Sequence, residues 1–338
     1  MIYIPKRVLF EEKSLDYELG DKLYMTFKQK GVPITILKAN RVTGIPGDTP
    51  SKLYVEGKNT LVVRVRKKGE FQTCKPSAHY QLPLLSGCTG KCEYCYLNTR
   101  FGNKPYITVY ANVDQILDQA REYIREREPE VTVFEGAATS DPIPLEEYTG
   151  SLAKTIEFIG KEKKSRFRFV TKFHYVDDLL KLKHNGKTTI RFSINSNKVI
   201  KNYEHGTSSL GERIEAAKKV ISAGYDLGFI IGPIFIYDEW KEDYLNMLRV
   251  LKDTLGEENN LIKFEVISHR YTIAAKNKIL EVFPKTSLPM VEENRTFKYG
   301  QFGYGKYIYN KDLLKEIENF FRGNIKELFK NSRIDYII

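Results

Sequence analysis

The sequence predicts an α/β protein: an open, partial (β/α)6 barrel of the TIM type, with an N-terminal α/β extension and a C-terminal hairpin plus helix. Three observations carry this. Six short apolar runs recur between residues 82 and 267, each followed by a segment of helical character. Strands that alternate with helices pair in parallel through right-handed crossovers. Six units fall two short of the eight that close a barrel. A doubly wound open sheet is the other arrangement the pattern allows.

The elements follow in order. Residues 1–80 form the extension, with a helix near Leu19 to Gly31 and strands near Ile34 to Lys38 and Thr60 to Arg66. The core spans 81–270. Leu82 to Ser86 is its first strand. Val113 to Arg127 is a helix, because Ile116, Leu117, Ala120, Tyr123 and Ile124 share one face, and Asn112 is its expected N-cap. Val131 to Glu135, Phe167 to Thr171, Thr189 to Ile194, Leu227 to Gly232 and Ile262 to Ile267 are the remaining strands. Helices are expected at Leu152 to Lys161, Val176 to Lys183, Gly211 to Ala223 and Glu239 to Leu255, the third stopped by Gly224. Residues 271–338 hold a helix, a hairpin within Phe297 to Tyr307, where glycines alternate with aromatic residues, and a helix from Lys311 to Lys330. In either arrangement of the core, chemistry belongs at the carboxyl ends of the strands.

Composition narrows the function. The chain has 338 residues, 41% apolar and 29% charged, and no apolar run of membrane-spanning length, so a soluble cytoplasmic protein with no membrane partner is expected. The net charge of +11 attracts polyanions, and nucleic acid is the commonest. Of four cysteines, Cys88, Cys92 and Cys95 fall within one short loop, which suits a metal rather than a disulfide scaffold.

The loop reads Cys88-Thr89-Gly90-Lys91-Cys92-Glu93-Tyr94-Cys95-Tyr96. Three thiolates in this spacing can hold three irons of a 4Fe–4S cubane and leave the fourth open to a chelating ligand. A zinc site needs a fourth protein ligand, and none of His79, His174, His184, His205 and His269 has finger spacing. A zinc-stabilised nucleic-acid-binding protein without catalysis remains the alternative from another class.

A three-cysteine loop directly after the first strand of a partial barrel resembles the radical S-adenosylmethionine (SAM) superfamily. The likeness extends to its spore photoproduct lyase family through Lys75-Pro76-Ser77-Ala78, Lys104-Pro105-Tyr106-Ile107, Thr139-Ser140-Asp141, Arg168-Phe169-Val170-Thr171-Lys172, Arg191-Phe192-Ser193-Ile194-Asn195-Ser196 and Gly206-Thr207-Ser208-Ser209. The resemblance implies a 4Fe–4S cluster on Cys88, Cys92 and Cys95, with SAM as second cofactor. It implies a DNA repair lyase that reverses 5-thyminyl-5,6-dihydrothymine to two thymines. A SAM-derived 5′-deoxyadenosyl radical would take the C6 hydrogen. A one-electron reductant of flavodoxin or ferredoxin type and a spore-core location come with it. A radical SAM enzyme acting on another substrate is the nearer alternative.

Residue by residue, the resemblance puts Ser140, Lys172 and Ser193 around SAM, and a lysine and hydroxyls are suited to its carboxylate and ribose. Gly232, before Pro233, would let backbone approach the adenine. Tyr96 would relay a hydrogen back to 5′-deoxyadenosine, and Tyr94 would pack or assist. One departure stands out. The family's hydrogen-donor cysteine precedes Thr-Ser-Asp, and this chain has Ala138 there. Cys74 is the remaining cysteine, and the chain between it and the first strand is long enough to fold back to the barrel mouth, since seven extended residues span roughly 23–25 Å. Three readings follow: Cys74 has become the donor, Cys74 is a small buried side chain with no such role, or Ala138 is an introduced change. For DNA, the hairpin is the expected wedge that opens the duplex around an extruded lesion. Gln301 and Phe302 would form its tip, and Lys298, Lys306, Arg270 and Arg295 would meet phosphates.

Overall fold

The computed structural model describes residues 3–38, 41–256, 260–299 and 305–338. The chain divides into two compact units. One comprises Met1–Thr89, Arg100–Thr171 and Tyr175–Thr189, and the other Gly90–Thr99, Lys172–His174 and Ile190–Ile338.

The first unit holds a five-stranded sheet in the order Ile34–Leu37, Arg7–Glu11, Thr60–Arg64, Ile107–Tyr110, Leu85–Ser86. The first three pairings are parallel and the last antiparallel. Alternation explains it: Val8, Phe10, Leu61, Val63, Ile107 and Val109 form one core with Leu23 and Phe27 of the helix Glu18–Gln29. The strand Arg7–Glu11 and the helix Pro50–Lys58 were not expected from the sequence. That helix carries its own start signal, Pro50 in its first turn and Thr49 accepting the Lys52 N–H.

The same unit contains a second set of strands. Ala78–Gln81 and Thr132–Glu135 pair in parallel, as do Thr132–Glu135 and Ser165–Thr171. Thr73–Cys74 folds back antiparallel on Ala78–Gln81. The first strand of the core therefore lies earlier than the expected Leu82 to Ser86. Ala-His-Tyr-Gln has no apolar alternation, and the His79 ring accepts the Val133 N–H at 2.9 Å in place of a backbone carbonyl. The apolar run that suggested a strand splits at Pro83, and Leu85–Ser86 joins the other sheet. Val176 to Lys183 forms only the 3-10 turn Asp177–Leu179, because Asn185 and Gly186, both at positive φ, bring the chain straight into Thr188–Ile194. Asn112 precedes the helix Val113–Glu126 without capping it. Its amide instead bridges the Arg66 N–H and C=O at 2.8 and 3.0 Å.

In the second unit Asp226–Ile234, Ile262–Ser268 and Ser332–Ile337 pair in parallel, the last an unexpected strand. Helices Leu210–Ser222 and Trp240–Leu255 follow as expected, the former with a Ser209/Glu212 capping box. Thr296–Tyr299 and Gly305–Ile308 form the antiparallel hairpin, and Lys311–Leu328 the helix after it. No helix among the described residues is long and apolar enough to cross a membrane.

In the first unit, Glu146 shows how a loop is fixed after a strand. Its buried carboxylate accepts the Leu152 and Ala153 N–H groups, both at 2.8 Å, and so caps the helix Ser151–Lys161. Burial outweighs these bonds and raises its pKa from 4.5 to about 7. The folded state thus holds the proton more tightly than the unfolded chain, so this group favours folding below pH 4.5 and loses that contribution as pH rises through 7. Urea titrations at pH 5 and 8 check this: the wild type loses stability across the interval, and Glu146→Gln loses less.

Candidate active site

In the first unit, the chain reaches the cysteine loop through Gly87. This glycine has φ 88°, and a side chain on it would lie 2.9 Å from the Tyr106 carbonyl. Gly87 bridges to Ser140, and its N–H donates to Thr139 O at 2.9 Å. Ser140 therefore lies beside the residue that precedes Cys88. Thr171 donates to the Asp141 carboxylate at 3.1 Å, which ties the 139–141 loop to the end of Ser165–Thr171. The Cys88 carbonyl accepts the Lys58 ammonium at 2.8 Å.

Cys74 pairs with Ala78 across the short hairpin, and the turn between them is anchored by Glu135. One Glu135 oxygen accepts the Ser77 hydroxyl at 3.2 Å, and the other accepts the Ala137 N–H at 3.2 Å. Arg168 donates to Ser77 O at 3.1 Å. The Cys74 turn and the backbone next to Ala138 thus share one buried carboxylate.

In the second unit, Lys91–Cys92 pairs antiparallel with Glu204–His205, setting Glu204 opposite Cys92. Asn98 donates to Cys92 O and Glu93 O at 3.1 and 3.2 Å, and Cys95 N–H to Cys92 O at 3.2 Å. Glu93 accepts from Thr286 and meets His205 Nε2 at 2.7 Å. Glu204 is itself buried and is the centre of a network. Lys172 Nζ lies 2.8 Å from it and 2.9 Å from Ser193 Oγ, Arg213 is at 2.6 Å, and Tyr94 donates its phenol to the carboxylate. Burial pushes the Glu204 pKa up, but Arg213, Lys172 and the Tyr94 bond hold it at about 2. Burial, then the Glu204 charge, raises the Tyr94 phenol well above its ordinary range.

The other expected residues vary in setting. Tyr96 is 59% exposed. Gly232 meets its neighbouring strand: a side chain there would sit 2.8 Å from Ile267 O, so strand packing alone requires glycine. Lys298 and Lys306 face each other across the hairpin, and Lys306 has its pKa lowered by burial and by the charges of Arg270 and Lys298. Tyr299 and Phe297 are 75% and 46% exposed beside them. Gln301 and Phe302 lie outside the described residues. Arg295 is an anchor rather than a surface cation: it donates to His269 O and Pro289 O and stacks 3.6 Å from the Tyr309 centroid. Arg66 and Arg168 are likewise engaged, Arg66 with Gln119 and Gly69 and Arg168 with Ser77. Sequence reasoning missed Glu204, Arg213 and Glu93, since isolated charges in loops or on helices carry no periodic signal.

The donor set suits a cubane. Cys88, Cys92 and Cys95 form no disulfide. The Thr89 hydroxyl is buried with no protein partner beside Cys88, as expected of a donor to a cluster sulfur. Fold and loop define the class: an α/β radical SAM lyase, working with SAM and a 4Fe–4S cluster.

The chain matches the spore photoproduct lyase family over residues 3–338 and belongs to it. It is 54% identical to spore photoproduct lyase of Clostridium acetobutylicum, over 98% of each chain. It is 46% identical to that of Bacillus subtilis, over 99% of this chain and 98% of the relative. A doubly substituted spore photoproduct lyase, with a cysteine changed to alanine and a serine to cysteine and with bound AdoMet and dinucleoside spore photoproduct, superposes with a TM-score of 0.96 at 46% identity, over all of both chains. Another solved with dinucleoside spore photoproduct gives 0.96 at 45%, again over all of both chains.

Removing the charge of Glu204 leaves Arg213 buried without a counter-ion, which costs about 3–5 kcal/mol. Glu204→Gln is therefore expected to unfold at markedly lower urea in the metal-free protein, and a loss below about 1 kcal/mol would contradict the network.

Proposed function

We propose that this chain repairs DNA by reversing the spore photoproduct to two thymines, with Cys88, Cys92 and Cys95 as cluster ligands on a partial (β/α)6 core over 81–270. The observation that carries the reading is the company of the cysteine loop. Ser140 adjoins Gly87 in one unit, and Lys172 and Ser193 sit on the Glu204 network opposite Cys92 in the other. When bound, SAM and the cluster would supply a hydrogen-abstracting adenosyl group. Lys172 and Ser193 hold the SAM carboxylate, Ser140 a further oxygen, and the backbone at Gly232 its adenine. Tyr96 returns a hydrogen to it, with Tyr94 held in place by Glu204.

Cys74 is the hydrogen donor to the repaired thymine in this reading. Support comes from the Glu135 tether between the Cys74 turn and Ala137. It also comes from the solved relative that combines a cysteine-to-alanine with a serine-to-cysteine exchange. In an anaerobic assay with SAM, reductant and the dinucleoside lesion, the wild type is expected to yield repaired thymines. Cys74→Ala is expected to cleave SAM yet give mostly radical-trapped by-products; an unchanged thymine yield would exclude Cys74.

The segment 271–338 meets the DNA. Lys298, Lys306 and Arg270 crowd like charges together, which is costly unless a polyanion neutralises them. Exposed Phe297 and Tyr299 offer stacking faces. Each phosphate contact contributes about 0.9 to the slope of log affinity against log salt. The double change Lys298→Gln, Lys306→Gln should flatten that slope by roughly two contacts' worth, and an unaltered slope would remove both from the interface. A flavodoxin- or ferredoxin-type reductant and a cytoplasmic, spore-core setting complete the proposal, in keeping with the sources of the relatives.

A further inference from the structure

Lys58 is the last residue of the helix Pro50–Lys58 and is 1% exposed. Lysine is almost never so buried unless its charge is paired. Its ammonium donates to Cys88 O at 2.8 Å and lies 5.5 Å from the Tyr54 ring centroid. No carboxylate among the described residues forms an ion pair with it: Glu56, two residues back, is taken by Lys6 and Arg7 at 2.7 and 2.5 Å. A carbonyl and a ring solvate an ammonium in part, but neither cancels its charge. The protein thus keeps an uncompensated cation in its interior, directed at the backbone of the first cysteine of the loop.

We propose that Lys58 is the electrostatic counter-charge of the iron–sulfur cluster and raises its electron affinity. This rests on the reading that Cys88 is a cluster ligand. A 4Fe–4S core held by three thiolates is a net anion and gains a further negative charge on reduction. Net charge around a cluster is one of the quantities that set its potential. A fixed buried cation beside one ligand favours the reduced form, and low dielectric keeps its field from being screened. Lys58 is a positioning residue in the electronic sense: it acts on the cluster through Cys88 and touches neither SAM nor lesion.

The test uses the full chain with reconstituted cluster. Lys58→Gln removes the charge and keeps a hydrogen-bond donor on a side chain one atom shorter, and Lys58→Arg keeps the charge. Reductive titration followed by electron paramagnetic resonance is expected to give a more negative midpoint for Lys58→Gln than for wild type, with Lys58→Arg close to wild type. Thermal melts without the cluster supply a second reading. A mere clamp on the loop predicts that Lys58→Met, which has no donor for the Cys88 carbonyl, melts lower than wild type, whereas an uncompensated cation predicts that it melts as high or higher. If Lys58→Gln does not fold, Lys58→Met is carried through both measurements. A midpoint unchanged in the charge-free variant overturns the inference. Failure of the wild type to show a 4Fe–4S signal at all overturns the cluster reading instead.

Discussion

The second unit is organised around one buried carboxylate. Glu204 is enclosed on every side and is held ionised because Arg213 and Lys172 supply two positive charges against its one. Desolvating three charges is costly, and only close geometry with further hydrogen bonds offsets it. That geometry is present: Arg213 also donates to Ser193 O, Ser208 O and Thr207 Oγ1, each within 2.9 Å, and Lys172 also reaches Ser193. One constraint therefore fixes the Lys172 ammonium, the Ser193 hydroxyl, the Tyr94 phenol and the strand pairing of Cys92. The network thus carries a surplus positive charge.

The first unit shows the same economy with a different residue. Glu135 ties the Cys74 turn to the backbone that leads into Ala138 and Ser140. The shared carboxylate holds these two loops in register. Lys58 adds a lone cation behind Cys88.

The central strands and helices were legible in the sequence, because apolar periodicity marks a helix such as Val113–Glu126 and a buried strand such as Asp226–Ile234 directly. The cysteine loop was legible from spacing, and family likeness supplied Ser140, Lys172 and Ser193. What failed had a common cause. Ala78–Gln81 is a strand set by its neighbours rather than by its own side chains, and Asn112 spends its amide on Arg66 instead of its helix. Arg295 is indistinguishable in sequence from a phosphate-binding arginine, yet stacking on Tyr309 and bonds to two carbonyls consume it. Glu204 and Lys58 were invisible because burial of a charge is a property of the fold alone.

The central claim is hydrogen abstraction from the lesion by a SAM-derived group held in this chain, and isotope transfer tests it most directly. The dinucleoside lesion carrying deuterium at C6 would be turned over anaerobically by the cluster-loaded protein, and SAM and 5′-deoxyadenosine analysed by mass spectrometry. The account predicts deuterium in one or both alongside repaired thymines. Repair with no deuterium in either would contradict it.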